Sequence, residues 1–224
     1  MFLGKSFAVI LVLLVGQSNC SIQSYLYGIF ASMRENRPLP YLDDIFHYKG
    51  DSFQECLQIL DEIFARLDKA GMQVNLAKSS IMGEEVELLG FLLTRTGARP
   101  TTKRIEAILK LAPPKNKRGC RRIIGIFNFI KNHIPGRAGL MHHLTDLTRK
   151  DVDFKWGVHE NQAFKELKAA VANSILTTYP DPNRPFIYFP DASQKYVFGG
   201  LLCQEQDGVM VTVGCHSKKW TPAN

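Results

Sequence analysis

The sequence predicts an α+β fold, and two patterns of apolar residues are the reason. Apolar residues recur at three- and four-residue steps in residues 53–71 and through much of 101–173, which is typical of amphipathic helices. Residues 72–93 and 186–215 instead alternate or run together between turn-forming residues, as strands do. With 224 residues, 45% of them apolar, the chain can bury a core, so wholesale disorder is excluded.

The first half of the chain carries signals for where its helices begin and end. Ser52 and Glu55 have the S-x-x-E spacing of a capping box, and apolar residues then repeat up to Gly71. Thr101 or Thr102 can cap a second helix, which ends at Pro113-Pro114 because proline lacks an N–H and its ring clashes with the preceding turn. We therefore predict a helix at 53–71, strands at 72–76 and 86–93 joined by a turn at 78–83, and a helix from 101 to 113.

The second half is helical at first and then rich in strands. Apolar spacing predicts helices at 116–132, 139–150 and 160–173, followed by strands at 186–189, 198–203 and 209–215. Between the helices and the strands, the breaker cluster Tyr179-Pro180-Asp181-Pro182-Asn183 favours a domain boundary near residues 174–184.

The positive charge of the chain is concentrated in one stretch. The net charge is +7, and residues 103–131 hold nine basic residues against one acidic residue, Glu106. Such a stretch indicates either a surface that binds a polyanion or an ordinary solvated helix face. Charge alone does not decide between these two interpretations.

The N-terminal segment and the cysteines point to different compartments. Met1–Cys20 has one early lysine and an apolar run at Phe7–Val15, the outline of a secretory signal peptide. A buried strand or helix, or an unrelated stretch of reading frame, would look the same, and the run is too short to span a bilayer. The five cysteines show no CxxC spacing, which argues against a disulfide framework or a zinc site and favours a reducing, intracellular setting.

Two adjacent carboxylates offer the first candidate for chemistry. Asp43 and Asp44 follow Tyr41 in a short Tyr-Leu-Asp-Asp segment bounded by apolar residues. Neighbouring aspartates in a tight turn can both face Mg²⁺, and a pair of such ions is a common device for phosphoryl transfer. The alternative is an ordinary surface turn, where Asp-Asp pairs are frequent.

Several short motifs follow one another along residues 21–224. They are Tyr41-Leu42-Asp43-Asp44, Glu87-Leu88-Leu89-Gly90-Phe91, Gly97-Ala98-Arg99-Pro100, Lys103-x-x-Glu106-Ala107-Ile108, Phe129-Ile130 with Ile134-Pro135, Leu144-Thr145-Asp146-Leu147-Thr148, Phe154-x-Trp156, Gln162-Ala163-Phe164 with Leu167-Lys168, and Asp191-Ala192-Ser193. Each motif is weak alone, but the order is specific. It closely resembles the gypsy-type long-terminal-repeat retrotransposon polyprotein, which contains a reverse transcriptase and a ribonuclease H.

The resemblance implies roles for particular residues. The catalytic and metal-binding matches, for Mg²⁺, are Asp43 and Asp44 in the polymerase palm turn and Asp191 in the ribonuclease H domain. The nucleic-acid-binding matches are Tyr41 near the primer end, Leu89, Gly90 and Phe91 in the hairpin that grips the primer, and Lys117, Arg118, Arg121 and Arg122 in the basic thumb. The implied partners are an RNA–DNA or DNA duplex and other parts of the polyprotein, and no membrane partner is implied.

The same resemblance divides the chain into parts. These are a signal-like or unrelated segment at 1–20, the distal part of a reverse-transcriptase palm at 21–100, a thumb at 101–150, a connection at 151–183 and a truncated ribonuclease H-like domain at 184–224. The expected fold is therefore a partial palm hairpin with a helical thumb and connection, followed by the first strands of a ribonuclease H-like α/β domain.

We expect both active sites to be incomplete. The polymerase of this family needs a third aspartate from an upstream palm strand, and residues 1–40 contain no Asp. At the other end, residues 217–224 match the segment just before the helix that supplies the second ribonuclease H carboxylate. The sequence thus predicts a fragment that is inactive alone and at most binds duplexes weakly. The alternatives are a domesticated, non-catalytic nucleic-acid-binding protein and a secreted protein.

Overall fold

The computed structural model describes residues 9–13, 20–42, 44–47, 52–94, 96–192 and 197–219, with side chains throughout except at 9–13, 20, 21, 34–36 and 192. The chain divides into two compact units, residues 1–86 and 87–224, which are described separately. Within the described residues, no helix is long and apolar enough to cross a membrane.

The first unit is built on an antiparallel four-stranded sheet. Its strands are β1 (Val9–Leu13), β2 (Leu39–Tyr41), β3 (Asp44–His47) and β4 (Ser80–Gly83), in the order β2-β3-β1-β4. Strand β1 pairs with β3 on one side and β4 on the other, so Val9–Leu13 lies in the interior of the sheet. Of the interpretations left open for the N-terminal apolar run, the structure therefore gives a strand for these five residues.

Two helices, α1 (Cys20–Ile29) and α2 (Phe53–Lys69), supply most of the core of this unit. The predicted cap of α2 is confirmed, because the Ser52 hydroxyl accepts a hydrogen bond from the Glu55 N–H at 3.1 Å. The fully or nearly fully buried core residues are Leu26, Phe30, Met33, Ile45, Ile59, Leu60, Ile63 and Leu67.

The strand predicted at 72–76 and the turn predicted at 78–83 are wrong. Only Val74 makes an isolated bridge, residues 76–78 form a turn, and Ser80–Gly83 is strand β4. The local reason is Asn75, whose side-chain oxygen accepts from the Lys78 N–H and whose carbonyl accepts from Ser79. Such local side-chain bonds compete with a strand ladder, and the apolar alternation gave no sign of them.

The second unit begins with short strands. Strands β5 (Val86–Leu88), β6 (Phe91–Leu93), β7 (Gly97–Pro100) and β8 (Thr177–Thr178) form a sheet in that order. The single strand predicted at 86–93 is wrong, because a two-residue turn at Leu89 and Gly90 separates β5 from β6.

Five helices follow, α3 (Thr102–Leu109), α4 (Lys117–Phe129), α5 (Arg137–Leu140), α6 (His142–Asp146) and α7 (Val158–Ala172). Thr101 caps α3 as predicted, and Asn116 caps α4 through a 2.8 Å bond from the Gly119 N–H. The one helix predicted at 139–150 is instead two short helices that meet at Met141. Their shared core consists of Ile108, Cys120, Ile123, Phe127, Ile130, Ile134, Met141, Leu144, Leu147, Ala163, Phe164, Leu167 and Val171.

A second antiparallel sheet closes the unit. Its strands are β9 (Ile187–Ala192), β10 (Val197–Gln206) and β11 (Val209–Lys219), in the order β11-β10-β9, which confirms the three strands predicted there. Packing continues through residues 174–184, because β8 pairs with β7 and Gln204 hydrogen-bonds to Asp181. The structure thus keeps the helices and this sheet in one compact unit.

Candidate nucleic-acid interface

The Tyr-Leu-Asp-Asp segment forms a regular hairpin in the first unit. Tyr41 pairs with Asp44, so β2 and β3 are joined by the two positions between them, and Leu42 has a φ of +55°. Pro40 lies opposite Ile45 on the outer strand β2, where the N–H that proline lacks is not needed by a neighbour. Asp43 lies outside the described residues.

The residues of this hairpin differ in their exposure to solvent. Ile45 is fully buried beneath it, whereas Tyr41 is 45% exposed and Asp44 is half-buried. The strand on the other side of β3 is β1, which places Leu13 opposite Asp44. All five residues of β1 are apolar, so this strand supplies no carboxylate beside Asp44.

A second candidate carboxylate, Asp191, lies in β9 of the second unit. It is exposed, and Gly199 lies opposite it in β10, with Ser217 of β11 in the same row. Together with His216, these residues line a cavity of ≈ 350 Å³. Among the described residues, no other acidic side chain lines this cavity.

The donor set does not fit a two-ion magnesium site within the described residues. Such sites are built from several carboxylate oxygens around each pair of ions. Asp44 is the one described carboxylate of the hairpin, and Asp191 stands alone in its cavity. Among the residues that the structure describes, no group of three His, Cys, Asp or Glu side chains could hold a metal ion.

The Leu89-Gly90 turn is held by the first turn of helix α3. Leu89 and Gly90 have φ values of +52° and +79°, as a two-residue hairpin turn of type I′ requires. Both carbonyls of the turn are hydrogen-bonded, one to a residue of α3 and the other to Thr101, the N-cap of that helix. The Leu89 carbonyl accepts from Arg104 Nη2 at 3.3 Å, and the Gly90 carbonyl accepts from the Thr101 N–H at 3.1 Å.

Behind the turn, aromatic rings stack in a column. Phe91 stacks on Phe129 with ring centroids 5.2 Å apart, and His133 packs against Phe91 at the same distance. The Arg104 guanidinium lies over the Phe129 ring, 4.1 Å from its centroid. The Phe129 ring therefore contacts both the Phe91 ring and the Arg104 guanidinium.

Helix α4 divides its basic residues between two faces. Lys117 donates to the carbonyl of Arg149 at 2.7 Å, and Arg121 donates to the carbonyl of Thr148 at 3.0 Å. These two side chains therefore bind main-chain carbonyls of the segment that follows α6. Although both were predicted to bind nucleic acid, their donors are already partly used inside the protein.

The other pair, Arg118 and Arg122, is exposed. The two residues lie four positions apart, hence on one face of α4. Within the described part of the chain, the structure gives neither of them a hydrogen bond or an ion pair. The face opposite the core of α4 thus presents two guanidinium groups to solvent.

The arrangement of these helices and strands matches the reverse-transcriptase fold of solved structures. A foamy viral protease-reverse transcriptase solved with double-stranded DNA superposes with a TM-score of 0.81 at 20% identity, covering 98% of this chain and 44% of that chain. One solved with an RNA/DNA hybrid gives a TM-score of 0.76 at 21% identity, covering 97% of this chain and 34% of that chain. At these identities, the likeness establishes the fold alone.

Sequence comparison identifies the relatives more closely. Residues 156–224 match the family described as the RNase H-like domain found in reverse transcriptase. The Transposon Tf2-3 polyprotein of Schizosaccharomyces pombe is 27% identical over 202 residues, and the Tf2-7 polyprotein of the same yeast is 26% identical. Each match covers 90% of this chain, which spans 15% of the length of those curated relatives.

The predicted resemblance is therefore confirmed, and the chain is a relative of retrotransposon polyproteins with reverse-transcriptase and ribonuclease H regions. Neither the Arg104 contact with the turn nor the stack that joins Phe129 and His133 to Phe91 could be predicted from the sequence. The division of charges on α4 could have been inferred, because Cys120, Ile123 and Phe127 mark its buried face.

Proposed function

We propose that this chain is the part of a retrotransposon reverse transcriptase that holds the template–primer duplex. Its parts, as proposed, are a distal palm at 21–100, a thumb at 101–150, a connection at 151–183 and a ribonuclease H-like portion at 184–224. By itself the chain binds RNA–DNA hybrid or DNA duplexes and polymerises nothing, because the described carboxylates at the hairpin and beside Asp191 are too few for a two-ion site.

The observation that carries this proposal is the exposed Arg118 and Arg122 pair. A duplex presents a regular line of phosphates, and arginine guanidinium groups bind phosphate with paired hydrogen bonds. Helix α4 ends at Phe129, whose ring stacks on Phe91 of the proposed primer-gripping turn. The two arginines and the turn are therefore linked through one rigid helix. The foamy viral structures, solved with double-stranded DNA and with RNA/DNA hybrid, support a duplex as the partner.

The test compares two double variants that remove the same charge from the same helix. We expect Arg118→Ala with Arg122→Ala to weaken binding to a fluorescent RNA–DNA hybrid. The slope of log affinity against log salt should fall by about 2, since each phosphate contact contributes about 0.9. Binding is measured by fluorescence anisotropy across a salt series.

The matched control is Lys117→Ala with Arg121→Ala. This variant should keep a slope near that of the wild type and lose roughly 1 kcal/mol of unfolding free energy, because its hydrogen bonds are internal. Equal losses of affinity in both variants would show a response to net charge alone and contradict the proposal. So would a wild-type chain that does not bind the hybrid.

The comparisons give no support to a domesticated protein without catalysis as a separate interpretation. The basic face of α4 is consistent with a retrotransposon enzyme and with a domesticated binding protein, so only the matched relatives distinguish these two interpretations. All the matches described above are to transposon polyproteins or to viral reverse transcriptases.

A further inference from the structure

Arg104 differs from the other basic residues of the 103–131 stretch in what its side chain contacts. Arg104 is half-buried, and its guanidinium donates to the Leu89 carbonyl and lies over the Phe129 ring. Phe91, the residue that follows the turn, stacks on the same ring. Arg104 is thus fixed between the backbone of the turn and the ring that supports the next residue of the same hairpin.

Gly90 shows how closely the Arg104 guanidinium packs against the turn. A Cβ added to Gly90 would lie against Nε, Nη2 and the central carbon of Arg104, closer than van der Waals contact allows. The Gly90 φ of +79° also disfavours any side chain there. A side chain at this position would therefore displace the Arg104 guanidinium from the turn.

The neighbouring Leu89 adds a reason why the turn needs to be held. Leu89 has a φ of +52° and is 46% exposed, so a branched, apolar residue is kept in a conformation that L-residues rarely adopt. Such a conformation persists only where surrounding contacts enforce it. The hydrogen bonds from Arg104 and Thr101 to consecutive carbonyls are the contacts available to do so.

We infer that Arg104 is a positioning residue that holds the Leu89-Gly90 turn in the shape that meets the duplex, without contacting phosphate itself. The inference rests on the proposed function, because it gives the turn a role in duplex binding. A planar guanidinium can stack on Phe129 and hydrogen-bond to Leu89 at once. A lysine ammonium keeps the charge but cannot stack in this way.

The experiment compares Arg104→Lys and Arg104→Ala with Lys103→Ala, which removes one charge from the exposed side of the same helix. Hydrogen exchange of the peptide covering residues 88–94 is measured beside peptides from α4 and α7, and hybrid binding is measured across a salt series. We expect both Arg104 variants to exchange faster in the turn only. Both should bind the hybrid about tenfold more weakly, the effect of losing one well-made hydrogen bond, with an unchanged salt slope.

Three results would overturn the inference. Full rescue by lysine would show that charge suffices, a salt slope lowered by about 1 in Arg104→Ala would show a direct phosphate contact, and faster exchange throughout α4 and α7 would show a general loss of stability. If the wild type does not bind the hybrid, the proposed function fails. The exchange data still decide whether Arg104 holds the turn, and Lys103→Ala should leave that exchange unchanged.

Discussion

At the scale of single residues, His133 is an imidazole held in an apolar position. It is 5% exposed, its ring packs on Phe91, and its Nδ1 lies 3.0 Å from the Ile175 carbonyl. Burial lowers the pKa of His133, and the bond to the Ile175 carbonyl opposes this with a smaller rise. The side chain is therefore held in its neutral form behind the turn.

The lowered pKa makes stability depend on pH in a definite direction. Above about pH 6.5, the ordinary pKa of histidine, both the folded and the unfolded chain carry a neutral His133. As the pH falls below that value, the unfolded chain takes up a proton while the folded chain does not, so the folded state loses stability. The loss ends once the pH passes the lowered pKa of the folded state.

We predict that His133→Asn flattens this part of the pH profile. Asparagine keeps a donor for the Ile175 carbonyl and does not titrate. Urea unfolding from about pH 7.5 to about pH 5.5 should show the wild type losing more unfolding free energy than the variant. The comparison between the two proteins removes every contribution to the profile that they share. Parallel profiles for the two proteins would contradict the prediction.

Single residues also show the limit of prediction from sequence. Ser52, Thr101 and Asn116 could be assigned as helix caps or helix starts because capping depends on residues three positions apart. Local pattern does not predict the turn at Leu89, which only the family resemblance placed in a hairpin, since leucine does not favour a positive φ and Arg104, which bonds to it, lies 15 positions away. A helix cap can be predicted from residues that are close in the sequence, whereas a long-range side-chain contact cannot.

At the scale of elements, Gln204 ties strand β10 to the loop that precedes β9. It has no exposed surface, and its side-chain oxygen accepts from the Asp181 N–H at 2.8 Å. Its amide nitrogen donates to the carbonyls of Asp181 and Arg184, at 2.9 and 3.0 Å. One buried side chain thus satisfies three main-chain groups, two in the breaker cluster that favoured a domain boundary and one at Arg184 just after it.

We predict that Gln204→Leu lowers the unfolding free energy by about 2 kcal/mol. Leucine fills a similar volume but cannot hydrogen-bond to those main-chain groups. Water reaches the exposed side of the loop and replaces only some of the lost hydrogen bonds. Urea unfolding measures the change, with Glu205→Gln as the control because Glu205 is exposed on the next position of the strand. A Gln204→Leu variant as stable as the control would contradict this account of the loop.

At the scale of the whole molecule, the N-terminal apolar run has a place in the fold that its composition did not indicate. Strand β1 joins β3 to β4, so the sheet of the first unit depends on residues that resemble a signal peptide. Apolar composition is shared by leader segments and interior strands, and only the pairing distinguishes them. The order of motifs predicted the resemblance to retrotransposon polyproteins, yet it could not show what lies beside Asp44.

The last prediction concerns catalysis by this chain, and it is based on strand β1, which lies beside Asp44. Strand β1 places an apolar residue opposite Asp44, so among the described residues this strand adds no carboxylate there, and nucleotidyl transfer with two Mg²⁺ ions requires more ligands. We expect no primer extension on a poly-rA template with an oligo-dT primer, deoxynucleotide and Mg²⁺, under salt conditions in which the same preparation binds the hybrid. The control is Asp43→Asn, which removes one of the two aspartates of the hairpin without altering the basic face of α4. Extension by the wild type that disappears in this variant would show that the hairpin is catalytic and that its missing ligand comes from elsewhere.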